Sequence, residues 1–123
     1  LKGLPGIYSS RWSGENNNFD QAIKKIFKEM TNVKKNWQSQ SSARFICCLA
    51  VFSPNGEKYL SKGVVEGKIS VEKKGNKGFG YDPIFIPNGY NQTFGEMEPK
   101  LKMSLDHRYK AFSKIKKNFS NIL

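Results

Sequence analysis

The sequence predicts an α/β domain: a mixed sheet built around a long antiparallel hairpin and flanked by helices. Three observations carry that expectation. The apolar run Arg44 to Phe52 is joined by the turn residues Ser53-Pro54-Asn55-Gly56 to a second extended stretch, Glu57 to Ser70. Upstream, apolar residues recur at helical spacing from Phe19 to Trp37. Near the C-terminus Tyr109, Phe112, Ile115 and Phe119 repeat that spacing. The 123 residues have the length of one compact domain, residues 1–123, without repeats or low-complexity linkers.

The elements follow in order. Leu4 to Trp12 reads as a loop of mixed polar and aromatic content. The first helix places Phe19, Ile23, Ile26, Phe27, Met30, Val33 and Trp37 on one face. Asn18 is its expected N-cap, with Gln21 as the reciprocal capping partner. Lys24, Lys25, Lys28, Lys34 and Lys35 form the opposite face, which reads as a solvated surface or as a contact for nucleic acid. Arg44 to Phe52 is apolar at alternate and intervening positions, as in a central strand covered above and below. Cys47 and Cys48 are then small core residues, and Gly63 and Gly67 mark bulges or close approach of another group. Lys73 to Pro83 is a glycine-rich loop, followed by the short apolar run Ile84-Phe85-Ile86 and the polar turn Pro87 to Asn91. Glu98 to Met103 predicts a short helical turn, and Asp106 is the expected N-cap of the last helix.

Composition narrows the class. Lys plus Arg is 21 against 10 Asp plus Glu, a net charge of +11. This excludes an acidic ion buffer and points to an anionic partner: nucleotide, nucleic acid or membrane surface. Nine Phe, five Tyr and two Trp supply enough apolar surface for a core and argue against wholesale disorder. No apolar run approaches the ~20 residues of a membrane span. The two cysteines are adjacent, so in a strand they point to opposite faces. That argues against a disulfide framework or zinc site and for a reducing cytoplasm. The chain opens at Leu1, with no initiator Met and no recognisable leader.

The candidate chemistry lies between Gly78 and Arg108, with Gly75 just ahead of it. Gly75, Gly78 and Gly80 let backbone approach a ligand, Phe79 and Tyr81 offer aromatic plates, and Asp82 is an acceptor stiffened by Pro83. Lys102, His107 and Arg108 are donors gathered around a helix start. Together these residues suit a planar base bearing phosphates, the ring stacking on Phe79 for ~1–3 kcal/mol. Singly, each has a plainer reading: the loop matches neither the dinucleotide fingerprint nor the Walker pattern, and the histidine and aromatics also fit structural packing.

Gly78-Phe79-Gly80-Tyr81-Asp82-Pro83-Ile84-Phe85, then Thr93-Phe94-Gly95-Glu96-Met97, Lys102 and Ser104-Leu105-Asp106-His107-Arg108, resembles the inosine triphosphate pyrophosphatase family. Leu4 to Trp12 is similar to that family's Pro-Gly-Ile-Tyr-Ser-Ala-Arg stretch, with Ser10 in the alanine place. The resemblance is collinear from near Leu1 to about Phe119. It implies an inosine triphosphate pyrophosphatase-like fold. It also implies Mg²⁺-dependent hydrolysis of inosine, deoxyinosine and xanthosine triphosphates to monophosphate and pyrophosphate, in a cytoplasmic homodimer. By position, Phe79, Gly80, Tyr81 and Asp82 match the base-binding loop, Lys102 a substrate-binding lysine, and His107 and Arg108 the pair near the base's 6-position.

The resemblance covers only the C-terminal portion of the family's domain. The family's Ser/Thr-x-Asn-x-x-Lys phosphate loop and Asp-Ser-Gly-Leu segment, whose Asp serves the metal and the attacking water, have no counterpart here. Glu15, Glu66 and Glu72 are scattered, so no catalytic or metal-ligating residue is identified. The chain therefore reads as a base-recognition half, with weak or absent activity by itself. The alternative is a non-catalytic purine-nucleotide-binding module completed by another chain. A basic nucleic-acid-binding protein ranks below both, and neither nucleic acid nor membrane is the expected partner.

Overall fold

The computed structural model of the chain describes residues 1–119. It contains helix α1 (Phe19–Val33), strands β1 (Ala43–Phe52), β2 (Lys58–Ile69) and β3 (Phe85–Pro87), and helices α2 (Pro99–Leu105) and α3 (His107–Phe119). The α/β class and the long hairpin with flanking helices match the expectation. Both ladders run antiparallel in the order β1-β2-β3, so no parallel pairing of the expected mixed sheet lies among the described residues.

The hairpin register is unbroken from Ala43 opposite Gly67 to Phe52 opposite Lys58. Gly63 and Gly67 therefore mark no bulge. They mark close approach, the other half of the expectation. A Cβ on Gly63 would overlap the His107 carbonyl oxygen and the Ala111 amide nitrogen, so the backbone of α3 lies directly on β2. Ser61 strengthens that contact by donating to the Ala111 carbonyl at 2.7 Å.

This close packing corrects the expected buried face of α3. Residues at the contact must be small or well turned inward, and Ala111 and Ile115 are buried there. Tyr109 and Phe112, expected inside, are about half exposed. The side chain of Phe119 lies outside the described residues.

Strand β1 also differs from expectation. Among the described residues it pairs only with β2, and its burial alternates along its length instead of being complete. Phe45 faces the core, while Ile46, Phe52 and, across the hairpin, Leu60 are 48%, 65% and 75% exposed. Cys48 is exposed and Cys47 half-buried, both as free thiols, so neither is the small core residue expected. The continuous apolar run marks a second face that no described element covers.

Two apolar clusters hold the elements together. Val65, Phe85, Phe94 and Met97 form one beneath the sheet, with Phe45 and Leu105 against it. Ile23, Ile26 and Ile84 form the other, fitting α1 to the loop before β3, with Trp12, Phe27 and Tyr81 packed around them. Each fully buried Phe, Ile or Met contributes about 1.5–3 kcal/mol.

Local capping follows the sequence closely. The Asn18 side chain accepts from the Gln21 N–H at 3.3 Å, but the reciprocal half is absent because the Asn18 N–H is given to the Ser13 carbonyl. Helix α1 stops at Val33, which is exposed. Trp37 instead enters through a following 3-10 turn to stack on Phe27 at 5.7 Å, its indole N–H donating to Thr31.

Candidate functional site

The glycine-rich loop is built against the segment Thr93 to Met97. Lys77 donates its N–H to the Gly95 carbonyl at 2.8 Å, Gly95 donates to the Asp82 carbonyl at 2.9 Å, and the Thr93 hydroxyl donates to the Lys74 carbonyl at 2.7 Å. Gly78, at φ +72°, turns the chain where a Cβ would overlap an Asp82 carboxylate oxygen. That oxygen, Oδ2, accepts the Phe79 N–H at 2.9 Å, so the turn is closed by its own aspartate.

The same oxygen receives the Lys102 ammonium at 2.6 Å. Both side chains are buried, at 7% exposure for Asp82 and 11% for Lys102. A lone ion here would be severely destabilised, so the two stand together. The pair sets the loop against α2 and carries Lys102 to 4.9 Å from the centre of the Phe79 ring. Lys102 also lies 5.7 Å from the ring of fully buried Phe94, so it reaches Phe79 from the core.

Phe79 itself is 63% exposed. The Arg108 guanidinium, on exposed Arg108 at the start of α3, covers it at 4.9 Å. His107 precedes it and is nine-tenths buried, its ring stacked on Phe45 at 5.1 Å. Asp106 starts α3 as expected, its carboxylate accepting the Tyr109 N–H at 2.8 Å. Burial pushes the His107 pKa below its usual 6.5, and the Arg108 charge pushes it the same way. Its Nδ1 is buried without a hydrogen-bond partner among the described residues.

Phe79, Asp82, Lys102 and Arg108 thus converge, with His107 beside them. Tyr81 points elsewhere: its hydroxyl donates to the Ser9 carbonyl at 2.6 Å and its ring meets Phe19 edge-on at 5.4 Å. Burial raises its pKa above that of an ordinary tyrosine. Gly80 lies between, over the Phe19 ring. Sequence reasoning overlooked Phe45 and Phe94 as supports for His107 and Lys102. Phe94 stood in the sequence only within the Thr93 to Met97 stretch that carries the family resemblance. Surface hollows of about 380 Å³ beside Gln38 and Lys68 and about 210 Å³ beside Val64 and Tyr90 share none of these residues.

The carboxylates do not assemble a metal site. Among the described residues no three His, Cys, Asp or Glu side chains are grouped to hold an ion. Asp82 is paired with Lys102, Asp20 with Lys73, Glu98 with Lys77, and Glu66 with Arg44. The residues present do not fit Mg²⁺. No described helix is long and apolar enough to cross a membrane.

Fold and cluster together define an α/β domain that presents an aromatic plate between cations, a class suited to planar anionic ligands. The chain belongs to the Ham1 family, the inosine triphosphate pyrophosphatase family its motifs resemble: the family model matches residues 1–118. It is 44% identical over 117 residues to a dITP/XTP pyrophosphatase of Oceanobacillus iheyensis, covering 95% of this chain and 58% of that protein. It is 42% identical to a dITP/XTP pyrophosphatase of Caulobacter vibrioides, covering 94% and 58%. The Staphylococcus aureus Ham1 protein superposes with a TM-score of 0.85 at 31% identity, over 98% of this chain and 60% of that one. The chain therefore spans a little under two thirds of the length of these relatives.

Proposed function

We propose that this chain is the purine-recognising part of a pyrophosphatase that hydrolyses inosine, deoxyinosine and xanthosine triphosphates to monophosphate and pyrophosphate. The observation that carries the reading is the convergence of Phe79, Lys102 and Arg108 beside buried His107. The names of the Oceanobacillus and Caulobacter relatives support it. The exposed Phe79 ring offers a stacking face for the base. Donors of His107 and Arg108 suit a 6-oxo group. Adenine's 6-amino group would oppose donor to donor and leave buried groups unpaired, a mismatch that discriminates strongly.

Phosphoryl transfer needs a positioned metal and a positioned water. In this reading Mg²⁺ and the attacking water belong with the part of the relatives' length that this chain does not span. The residues here bind and orient the base. The active assembly is a cytoplasmic homodimer, and the free thiols suit a reducing compartment.

The test pairs binding with turnover. The purified 123-residue chain should bind inosine triphosphate in preference to adenosine triphosphate and, with Mg²⁺, release little or no pyrophosphate. Equal affinity for the two nucleotides would refute the base pocket. Turnover at the rate of a full-length relative would refute the need for further acids. A second reading, a non-catalytic nucleotide-binding module, is favoured by the dispersed carboxylates. Recovery of hydrolysis on adding the remaining portion of the Oceanobacillus relative would exclude it.

A further inference from the structure

We propose that the surface hollow of about 380 Å³ beside Gln38 and Lys68 is a binding site for a small organic phosphate, separate from the Phe79 cluster. Three stretches of chain wall it: residues 38–41 ahead of β1, residues 68–71 at the end of β2, and Lys74 of the glycine-rich loop. Each wall is pinned. The Ser41 hydroxyl accepts the Ile69 N–H at 3.0 Å, the Ser70 N–H donates to the Ile84 carbonyl at 2.8 Å, and the Lys74 N–H donates to the Pro83 carbonyl at 2.9 Å. A ligand entering here has little of the chain to order.

Ser70 lines the hollow and is only 3% exposed, yet among the described residues its hydroxyl makes no hydrogen bond. A hydroxyl drawn out of water without a partner is unfavourable, and an acceptor seated in the hollow relieves it. The neighbouring charges select that acceptor. Lys68 forms no ion pair among the described residues, and Lys74 meets only exposed Glu72 at 3.8 Å, a contact that water screens. The other lysines of the glycine-rich loop are committed, Lys73 to Asp20 and Lys77 to Glu98. Two ammonium groups and a hydroxyl on separate walls suit a phosphate, whose oxygens accept from several directions, better than a flat carboxylate. The hollow also falls within the size of small-molecule sites, about 300–1,000 Å³. Val71 and Ile86 add apolar lining, so the phosphate is one carried on an organic body.

Ribose 5-phosphate tests this, because it has no base to stack on Phe79. Added to the purified chain, it should move the amide resonances of Ser70 and Lys74 and leave those of Phe79 and Arg108 in place. Inorganic phosphate should move the same amides only at higher concentration. Ser70→Ala should weaken binding of ribose 5-phosphate about ten-fold, the loss of one hydrogen bond to a charged group. Lys68→Gln should weaken it too and flatten its dependence on salt. Urea unfolding of both variants checks that they fold. Shifts confined to Phe79 and Arg108 would put the phosphate in the base cluster and overturn the proposal. So would the absence of any shift, or a Ser70→Ala variant that folds and binds as tightly as the wild type. Inorganic phosphate binding as tightly as ribose 5-phosphate would overturn the organic ligand, leaving an ion site only. None of these outcomes depends on a preference for inosine over adenosine, so the base-recognition reading stands or falls separately.

Discussion

Replacing Asp82 by Asn should be the most damaging isosteric change in the chain. Asp82 Oδ2 lies 2.6 Å from the Lys102 ammonium and 2.9 Å from the Phe79 nitrogen, in a site where neither charged side chain is more than 11% exposed. Asn keeps an oxygen for the Phe79 N–H, so the turn retains its closure. What it removes is the charge opposite a buried ammonium. Removing one partner of a buried pair typically costs about 3–5 kcal/mol, a large share of the ~5–15 kcal/mol by which such a domain is stable. At about 2.1 cal/mol/K of unfolding entropy per residue, 123 residues give about 0.26 kcal/mol per degree. The melting temperature should then fall by roughly 12–19 °C. Urea unfolding of wild type, Asp82→Asn, Lys102→Met and the double variant forms a closed cycle. The double variant should recover much of the loss, because no charge is left without its partner. Single losses below about 1 kcal/mol, adding without coupling, would show that the pair is solvated and that the account of the loop is wrong.

Gly63→Ala puts a methyl group into the α3 backbone at His107 and Ala111, atoms that cannot swing aside, so a cost of about 3 kcal/mol or more is expected in urea unfolding. His107 is the chain's one histidine, and its pKa is lowered by burial first and the Arg108 charge second. The unfolded chain therefore binds a proton near pH 6.5 that the folded chain resists, and folding stability is lost as pH falls below 6.5 toward the folded value. The wild-type minus His107→Gln difference in stability should show that loss, and a flat difference from pH 7 to 5 would contradict it. Cys48 should react with an aromatic disulfide reagent in the native state well before Cys47, and Cys48→Ser should leave only the slow phase.

Features set by neighbouring residues could be read from the sequence, while those set by distant ones could not. Asn18 and Asp106 cap helices with their own side chains, within three residues, and both were legible as such. The hairpin was legible for the same reason, its turn and both strands being contiguous. Tyr109 and Phe112 misled because size was read as burial. The close contact with Gly63, far away in sequence, decided that Ala111 and Ile115 face the sheet. Trp37 kept the helical period beyond the helix end and is buried by a different turn. In the site, Phe79, Asp82, Lys102 and Arg108 were all identifiable as candidates. Nothing local revealed that Asp82 and Lys102 neutralise each other, since 20 residues separate them.

The uncovered face of the hairpin gives dissolved salt two opposite roles. Ile46, Phe52 and Leu60 form a sticky stripe on a molecule of net charge +11. In dilute buffer, like-charge repulsion keeps copies apart and draws anions in. At molar salt the screening length shrinks to about 3 Å, and repulsion no longer reaches between surfaces. Apolar contact does not weaken with it. Raising ionic strength should therefore loosen the hold on an anionic ligand while driving the chains together, so storage and ligand titration both call for the dilute end of the salt range.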